Sequence, residues 1–301
     1  MIRNGIDKIG FRTIGVPKII GSLIPHIPGN TLKRPIERIC FDFDLHINKT
    51  SPNVFPAPPS NTYLNICKLI KAVGAFPALT SSAFTPVFAI HKNGHYGKIV
   101  GRGFDTLKEF HQRVLEAASE GADFIKIMTT GLLDFNDHGK VTGTPVDAAE
   151  VKEMVHIAHE EGFAVMSHTN GIYGTRAAIE AGVDSLEHGN YMDEETIAML
   201  ADSNTVWVPT LVTVRNLVGC GRYEDGVLKP IIHQAEVLVR LAYQKKVKVA
   251  PGSDAGAYMV PHGKGILQEW GAFRQILGDS EEVKEWLETG EKEIRDRFKR
   301  K

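Results

Sequence analysis

From residue 86 onward the chain alternates, with little interruption, between short apolar runs and amphipathic stretches of 10–15 residues. That alternation limits the possible folds more than any other feature of the sequence. "PVFAI" (86–90) reads as a strand, "HKNGHYGKIVGRG" as a loop and "DTLKEFHQRVLEAASEG" as a helix. "DFIKIM" (123–128) and the helix "DAAEVKEMVHIAHEEG" come next, then "FAVMSH" (163–168) and the helix "GTRAAIEAG". "DSLEH", the helix "DEETIAMLADSN", "VWVPTL", the helix "KPIIHQAEVLVRLAYQKK" and "VKVAPGSD" continue the series, and helices near 264–277 and 280–299 close it. Strands of about five residues alternating with helices build parallel βα units. Six such units in a row, with more chain upstream, predict an α/β fold of the (β/α)8 TIM-barrel type rather than an open doubly wound sheet. Gly121, Gly162 and Gly182 stand where helix C-caps are expected.

Residues 1–85 do not continue the pattern. "TSPNVFPAPPSNT" reads as a loop, "ERICFDFDLHI" (37–47) as a strand and "YLNICKLIKAVG" as a short helix. The expectation is one domain over 1–301, irregular over 1–85 and regular over 86–301, with the first two βα units of the barrel incomplete or distorted. At 301 residues, 43% hydrophobic and 24% charged, the chain can bury a large single core. A net charge of −1 gives no electrostatic case for nucleic acid or an anionic membrane. No apolar run nears the roughly 18 residues of a membrane span. Cys40, Cys67 and Cys220 are odd in number and outside any CxxC pairing, which points to a reduced, cytoplasmic protein without disulfides or a thiolate zinc site.

Barrel enzymes keep their reactive groups at the carboxyl ends of the strands. Those positions hold Lys126, His168, His188 and Asp254. Two imidazoles and a carboxylate converging on one rim suit a divalent metal such as zinc, which binds both donor types at about 2.0–2.2 Å. An inward lysine is costly to bury charged, so its pKa should fall. A neutral amine can take up carbon dioxide as a carbamate, whose two oxygens could bridge two ions. One such histidine is usually structural, and one such aspartate usually caps a helix. Four such residues on four strands of one series form a pattern.

These residues resemble the metal-dependent amidohydrolase superfamily, in its imidazolonepropionase-like and prolidase-like branch. "GADFIKIMTTG" is similar to the carbamylated-lysine segment on strand 4, and "VMSHTNG" to the strand 5 histidine. "GVDSLEHGNYMDEETIAMLADSNTVWVPTL" resembles the strand 6 histidine with its following helix and strand 7, and "APGSDAGAYMVPHGKGI" the strand 8 aspartate loop. The resemblance covers roughly 86–275. It implies a hydrolase of C–N bonds, with Lys126, His168 and His188 holding one or two ions, most simply zinc. It further implies that Asp254 is the general base for a metal-activated water.

Two departures qualify the resemblance. The family opens with D-x-H-x-H on strand 1, and this chain has no H-x-H. In "FDFDLHIN", Asp42 and His46 fit the outer positions, and Asp44 stands where the first histidine belongs. His46 is thus a further metal-ligand candidate. Only 80 residues separate it from the lysine (126 − 46), which is short for the intervening elements. The charged helix "EEVKEWLETGEKEIRDRFKRK" also leaves no strands there for the C-terminal β-sandwich of many relatives.

His262, Tyr191 and His95 are candidates to contact substrate. His91 and His95 flank a glycine after the first regular strand. His156 and His159 share a helix face away from the rim, and Cys220 has no evident base. The expected partner is a small molecule, with no nucleic acid or membrane involved and homo-oligomerisation left open. Two other functions stay in view. One is a barrel that binds metal or ligand but has lost catalysis through its altered first motif. The other is a metal-free lyase with Lys126 as a Schiff-base nucleophile.

Overall fold

A computed structural model describes residues 84–299, and every element below lies within them. The expected strand at 37–47, the short helix after it and the loop "TSPNVFPAPPSNT" fall outside the described residues, as do Cys40 and Cys67. Six strands carry the fold: β1 (Ala89–Lys92), β2 (Gly101–Phe104), β3 (Ile125–Met128), β4 (Val165–Thr169), β5 (Ser185–His188) and β6 (Val206–Val208). The helices are α1 (Leu107–Ser119), α2 (Ala148–Glu160), α3 (Ile172–Ala181), α4 (Glu194–Ala201), α5 (Val212–Arg215), α6 (Asp225–Gln244), α7 (Gly265–Leu277) and α8 (Glu281–Phe298). The strands form one parallel sheet in the order β2-β1-β3-β4-β5-β6. From β3 to β6 each strand is followed by a helix and pairs with the next, the winding of a (β/α)8-like barrel.

Side-chain alternation divides the sheet into two faces. Ile125, Ile127, Val165, Leu186, Trp207 and Val249 pack into the helix layer with residues such as Phe110, Met154 and Phe273. The alternate positions Phe124, Met166, Val206, Val208 and Ala250 form a separate apolar cluster on the inner face. Ile294 and Phe298 of α8 complete that cluster, and Phe298 stacks on Phe124 with ring centroids 4.6 Å apart. Arg297 donates to the carbonyls of Asp184 and Asn204, one and two residues before β5 and β6. The end of α8 therefore lies under the amino ends of the strands. Gly290 permits this approach, because a Cβ there would stand 2.0 Å from the Val249 carbonyl oxygen.

Local chemistry explains where the helices begin. Thr106 accepts from the Glu109 amide while the Glu109 carboxylate accepts from the Asp105 amide, an arrangement close to a capping box. Asp147, Asp193 and Ser280 cap α2, α4 and α8 in the same way through one side-chain oxygen. Gly121, Gly162 and Gly182 all lie at positive φ just past a helix, as the sequence led one to expect.

Three features differ from the sequence reading. The segment read as a loop after β1 contains β2, whose "GRG" lacks the apolar signal of a strand but pairs residue for residue with β1. β1 itself runs on through His91 and Lys92, so His91 lies in the strand rather than after it. "VKVAPGSD" is not a full strand: the Trp207 amide donates to Lys248 O and the Ala250 amide to Trp207 O, and pairing then stops. Pro251 has no N–H to continue the ladder. Among the described residues no helix is long and apolar enough to cross a membrane.

Candidate active site

On the inner face, β3 contributes Lys126, one layer nearer the amino end than His168 of β4, since the register pairs Lys126 with Met166 and Met128 with His168. His168 is level with Glu187 of β5. All three are buried, Lys126 at 4% exposure, His168 at 1% and Glu187 at 6%. Glu187 accepts from the Ser185 hydroxyl at 2.7 Å. It is the inner-face residue that reading histidines alone passes over. The alternation in "SLEH" carries the signal, because an outward Leu186 turns Glu187 inward.

The same alternation would send His188 to the helix side with Leu186. The backbone overrides it: His188 has φ 66°, an uncommon left-handed conformation for a non-glycine residue. Its imidazole instead meets that of His168, with ring centroids 4.6 Å apart and planes 69° apart. The Trp207 indole N–H holds the His188 carbonyl at 2.9 Å. Thr210 and Asp254, at the next two strand ends, also have positive φ, 48° and 52°. Such outliers persist where the surroundings over-determine them, and they cluster at functional sites. Asp254 is buried at 6% exposure, next to buried Ser253.

Both imidazoles present a ring nitrogen to a protein oxygen. His168 Nε2 lies 3.3 Å from the Gly131 carbonyl, which can only accept, so that nitrogen carries the proton. His188 Nδ1 is 2.7 Å from the Thr210 hydroxyl. Metal-binding histidines are typically oriented in this way by a hydrogen bond to the distal nitrogen. The opposite atoms, His168 Nδ1 and His188 Nε2, are the candidate donors. Two imidazoles sharing an ion at about 2.0–2.1 Å would have ring centres roughly 5 Å apart, close to the spacing here. The donor chemistry thus fits a divalent ion. Among the described residues no three His, Cys, Asp or Glu side chains are grouped to hold a metal alone, and this includes His168, His188 and Asp254 taken together. A third donor of another type is needed, and Lys126 is the buried candidate on this face. Asp42, Asp44 and His46 lie outside the described residues.

The loop candidates separate. The neighbour of His95, Tyr96, is the residue that reaches the site, its ring centroid 5.1 Å from that of His168. Nothing in "GHYG" distinguished the two. His95 is tied through Nδ1 to the Thr144 carbonyl at 2.8 Å. His91 is buried in β1. His262 is exposed on the loop after Asp254. Tyr191 packs against an apolar cluster that includes Leu133, Val214 and Leu228. Its hydroxyl is buried, and the Gly139 backbone faces it without a hydrogen bond of normal geometry. Burial pushes this phenol above the usual tyrosine range, and the carboxylates of Asp134 and Asp137 add to the rise. His159 bonds Asp184 at 2.9 Å, just before β5 and so at the opposite end of the sheet, and His156 is exposed. Cys220 packs beside the Leu133 cluster as a free thiol.

Parallel strands wrapped by helices, with buried polar side chains gathered at one rim, define a (β/α)-barrel protein whose chemistry sits at the strand carboxyl ends. Residues 57–264 match the Amidohydrolase family, and the chain belongs to that family. An uncharacterized protein of Mycobacterium tuberculosis is 29% identical over 170 residues, 54% of this chain and 44% of its own length. Ochratoxinase of Aspergillus niger is 26% identical over 167 residues, 54% of this chain and 34% of its own. The chain thus spans less than half the length of these curated relatives. Among solved structures, a Xaa-Pro dipeptidase with methionine bound in its active site is similar at TM-score 0.56 and 25% identity, covering 78% of this chain and 59% of that one. A. niger ochratoxinase superposes at TM-score 0.59 and 21% identity, covering 74% and 56%, a likeness of fold.

Proposed function

We propose that the chain is a metal-dependent hydrolase of C–N bonds, acting on an amide, a peptide or a cyclic amide. The observation that carries this reading is the pair of buried imidazoles on adjacent strand ends, each oriented through its distal nitrogen. Family membership and the likeness to a Xaa-Pro dipeptidase support it. When bound, a divalent ion, zinc in the simplest case, polarises a carbonyl and lowers the pKa of a water toward about 7. His168 Nδ1 and His188 Nε2 would hold it, with Lys126 as the third donor in its carbamate form. Asp254 takes the proton of the attacking water and returns it to the departing amine. Its burial and its left-handed backbone at the rim support that role. Tyr96, whose ring lies beside His168, and His262, on the loop after Asp254, would meet the substrate.

The test is turnover of a panel of N-acyl amino acids, dipeptides including Xaa-Pro, and cyclic amides with added Zn²⁺ or Mn²⁺. Asp254→Asn should lower kcat by about 10²–10⁴ on any active substrate while zinc content is unchanged; a near-normal rate removes Asp254 from the mechanism. Zinc bound with no turnover across the panel favours a binding barrel instead. Native mass spectrometry of the zinc-loaded chain should find the added mass of one carbon dioxide, absent from Lys126→Ala. An unmodified lysine refutes the carbamate.

A further inference from the structure

The Thr210 hydroxyl that orients His188 is itself held in an unusual place. Thr210 is buried, β-branched and in the left-handed region at φ 48°, a conformation such a residue avoids unless it is constrained. The two residues after it are gripped from outside their own element. The Leu211 amide donates to Glu269 Oε1 and the Val212 amide to Glu269 Oε2, both at 2.9 Å. Glu269 has no exposed surface, and it sits on α7 among Ala272, Phe273 and Ile276. Burying a carboxylate on that apolar face is costly, and the two amides offset part of that cost. From the other side, the Thr210 carbonyl accepts from the Thr213 amide at 3.0 Å and the Thr213 hydroxyl at 2.7 Å. The turn is therefore clamped on both flanks of the threonine whose hydroxyl lies 2.7 Å from His188 Nδ1.

We infer that Glu269 is a positioning residue: through the Leu211 and Val212 amides and the Thr210 hydroxyl, it sets the orientation of the His188 imidazole and with it the metal affinity of the site. This rests on the reading of His188 as a metal donor. The carboxylate suits the task better than an amide would. Its two oxygens accept both N–H groups at once, whereas a glutamine must turn an NH₂ toward one of them.

The experiment measures Zn²⁺ affinity of the full chain by chelator competition, together with the thermal midpoint of the metal-free form. Glu269→Gln should weaken zinc binding at least tenfold, within the 10–100-fold range of residues that orient a ligand. Thr210→Val, which leaves the clamp in place, should weaken it as much, and Thr210→Ser should restore it. Because the two act in series, the double variant should be no weaker than the worse single variant. A Glu269→Gln chain that melts earlier but binds zinc like the wild type would reduce the residue to a structural brace and overturn the proposal, as would multiplicative losses in the double variant. If Glu269→Gln does not fold, the Thr210 pair decides, and unchanged affinity in Thr210→Val overturns the proposal. His188→Ala separates the two levels. If it binds zinc normally, the metal reading itself fails; if it loses zinc while Glu269→Gln does not, only the positioning role fails.

Discussion

A single buried oxygen distinguishes Tyr191 from its surroundings. The phenol packs against Leu133, Val214 and Leu228 with its hydroxyl enclosed and without a well-formed hydrogen bond. Leaving such a group unsatisfied costs about 1–3 kcal/mol. Tyr191→Phe should therefore unfold at the same urea midpoint or a higher one at pH 7, by up to about 1 kcal/mol; a clear loss would mean that the hydroxyl is bonded. The pH dependence has a definite sign. The folded phenol ionises above the usual tyrosine value, mainly through burial. Its contribution is full below the unfolded pKa of about 10 and is lost as pH rises through the folded pKa. Urea midpoints measured upward from pH 9 should fall more steeply for the wild type than for Tyr191→Phe.

Among the elements, α4 offers a second pH-dependent test. Its cap, Asp193, accepts from the Thr196 hydroxyl and amide and pairs with Arg176. The Thr196 hydroxyl is the largest cause holding this carboxyl below the usual aspartate range, with the Arg176 guanidinium adding to it. Asp193→Ala should cost about 1 kcal/mol at pH 7. The sign is opposite to that of Tyr191: a lowered carboxyl stabilises above its unfolded pKa and loses that contribution as pH falls through the folded one. The gap between wild type and variant in thermal midpoint should therefore close in acid. The sequence made this level largely legible, since α1 to α4 and β3 to β6 begin and end within a few residues of where period and caps put them. β2 was hidden because "GRG" carries no apolar alternation, and the "VKVAPGSD" strand was overextended because apolar content outweighed Pro251. At the site, His168 and His188 could be read at the ends of β4 and β5, whereas Lys126 lies near the amino end of β3 and Asp254 follows no full strand. What could not be read is the left-handed turn that brings His188 inward, because alternation describes regular strands and the site is made where they stop being regular. Tyr96 and Glu269 were equally invisible, the first on a loop of undefined geometry, the second on a helix far away in sequence.

For the molecule as a whole, metal and stability should be linked. An ion held by His168, His188 and Lys126 ties β3, β4 and β5 together, so chelation should lower the thermal midpoint. The midpoint should then rise with added zinc, by about 2.7 kcal/mol of stability at a hundredfold excess over Kd. On the proposed reading, metal analysis after dialysis should find one ion retained, because Asp44 stands where the first motif has an imidazole. Two ions retained at full activity would place a complete second site in residues 1–83. The position of α8 has a different consequence. Phe298, with no exposed surface, stacks on Phe124 beneath the amino ends of the strands, one layer of side chains below Lys126 on the same face. It works as a stopper. The electric field around a buried amine or carboxylate depends on how much solvent can reach it from any direction, and here the rear approach is corked by an aromatic ring from the last turn of the final helix. Removing that ring would open the inner face to water from the end opposite the rim, at a residue that never meets a substrate.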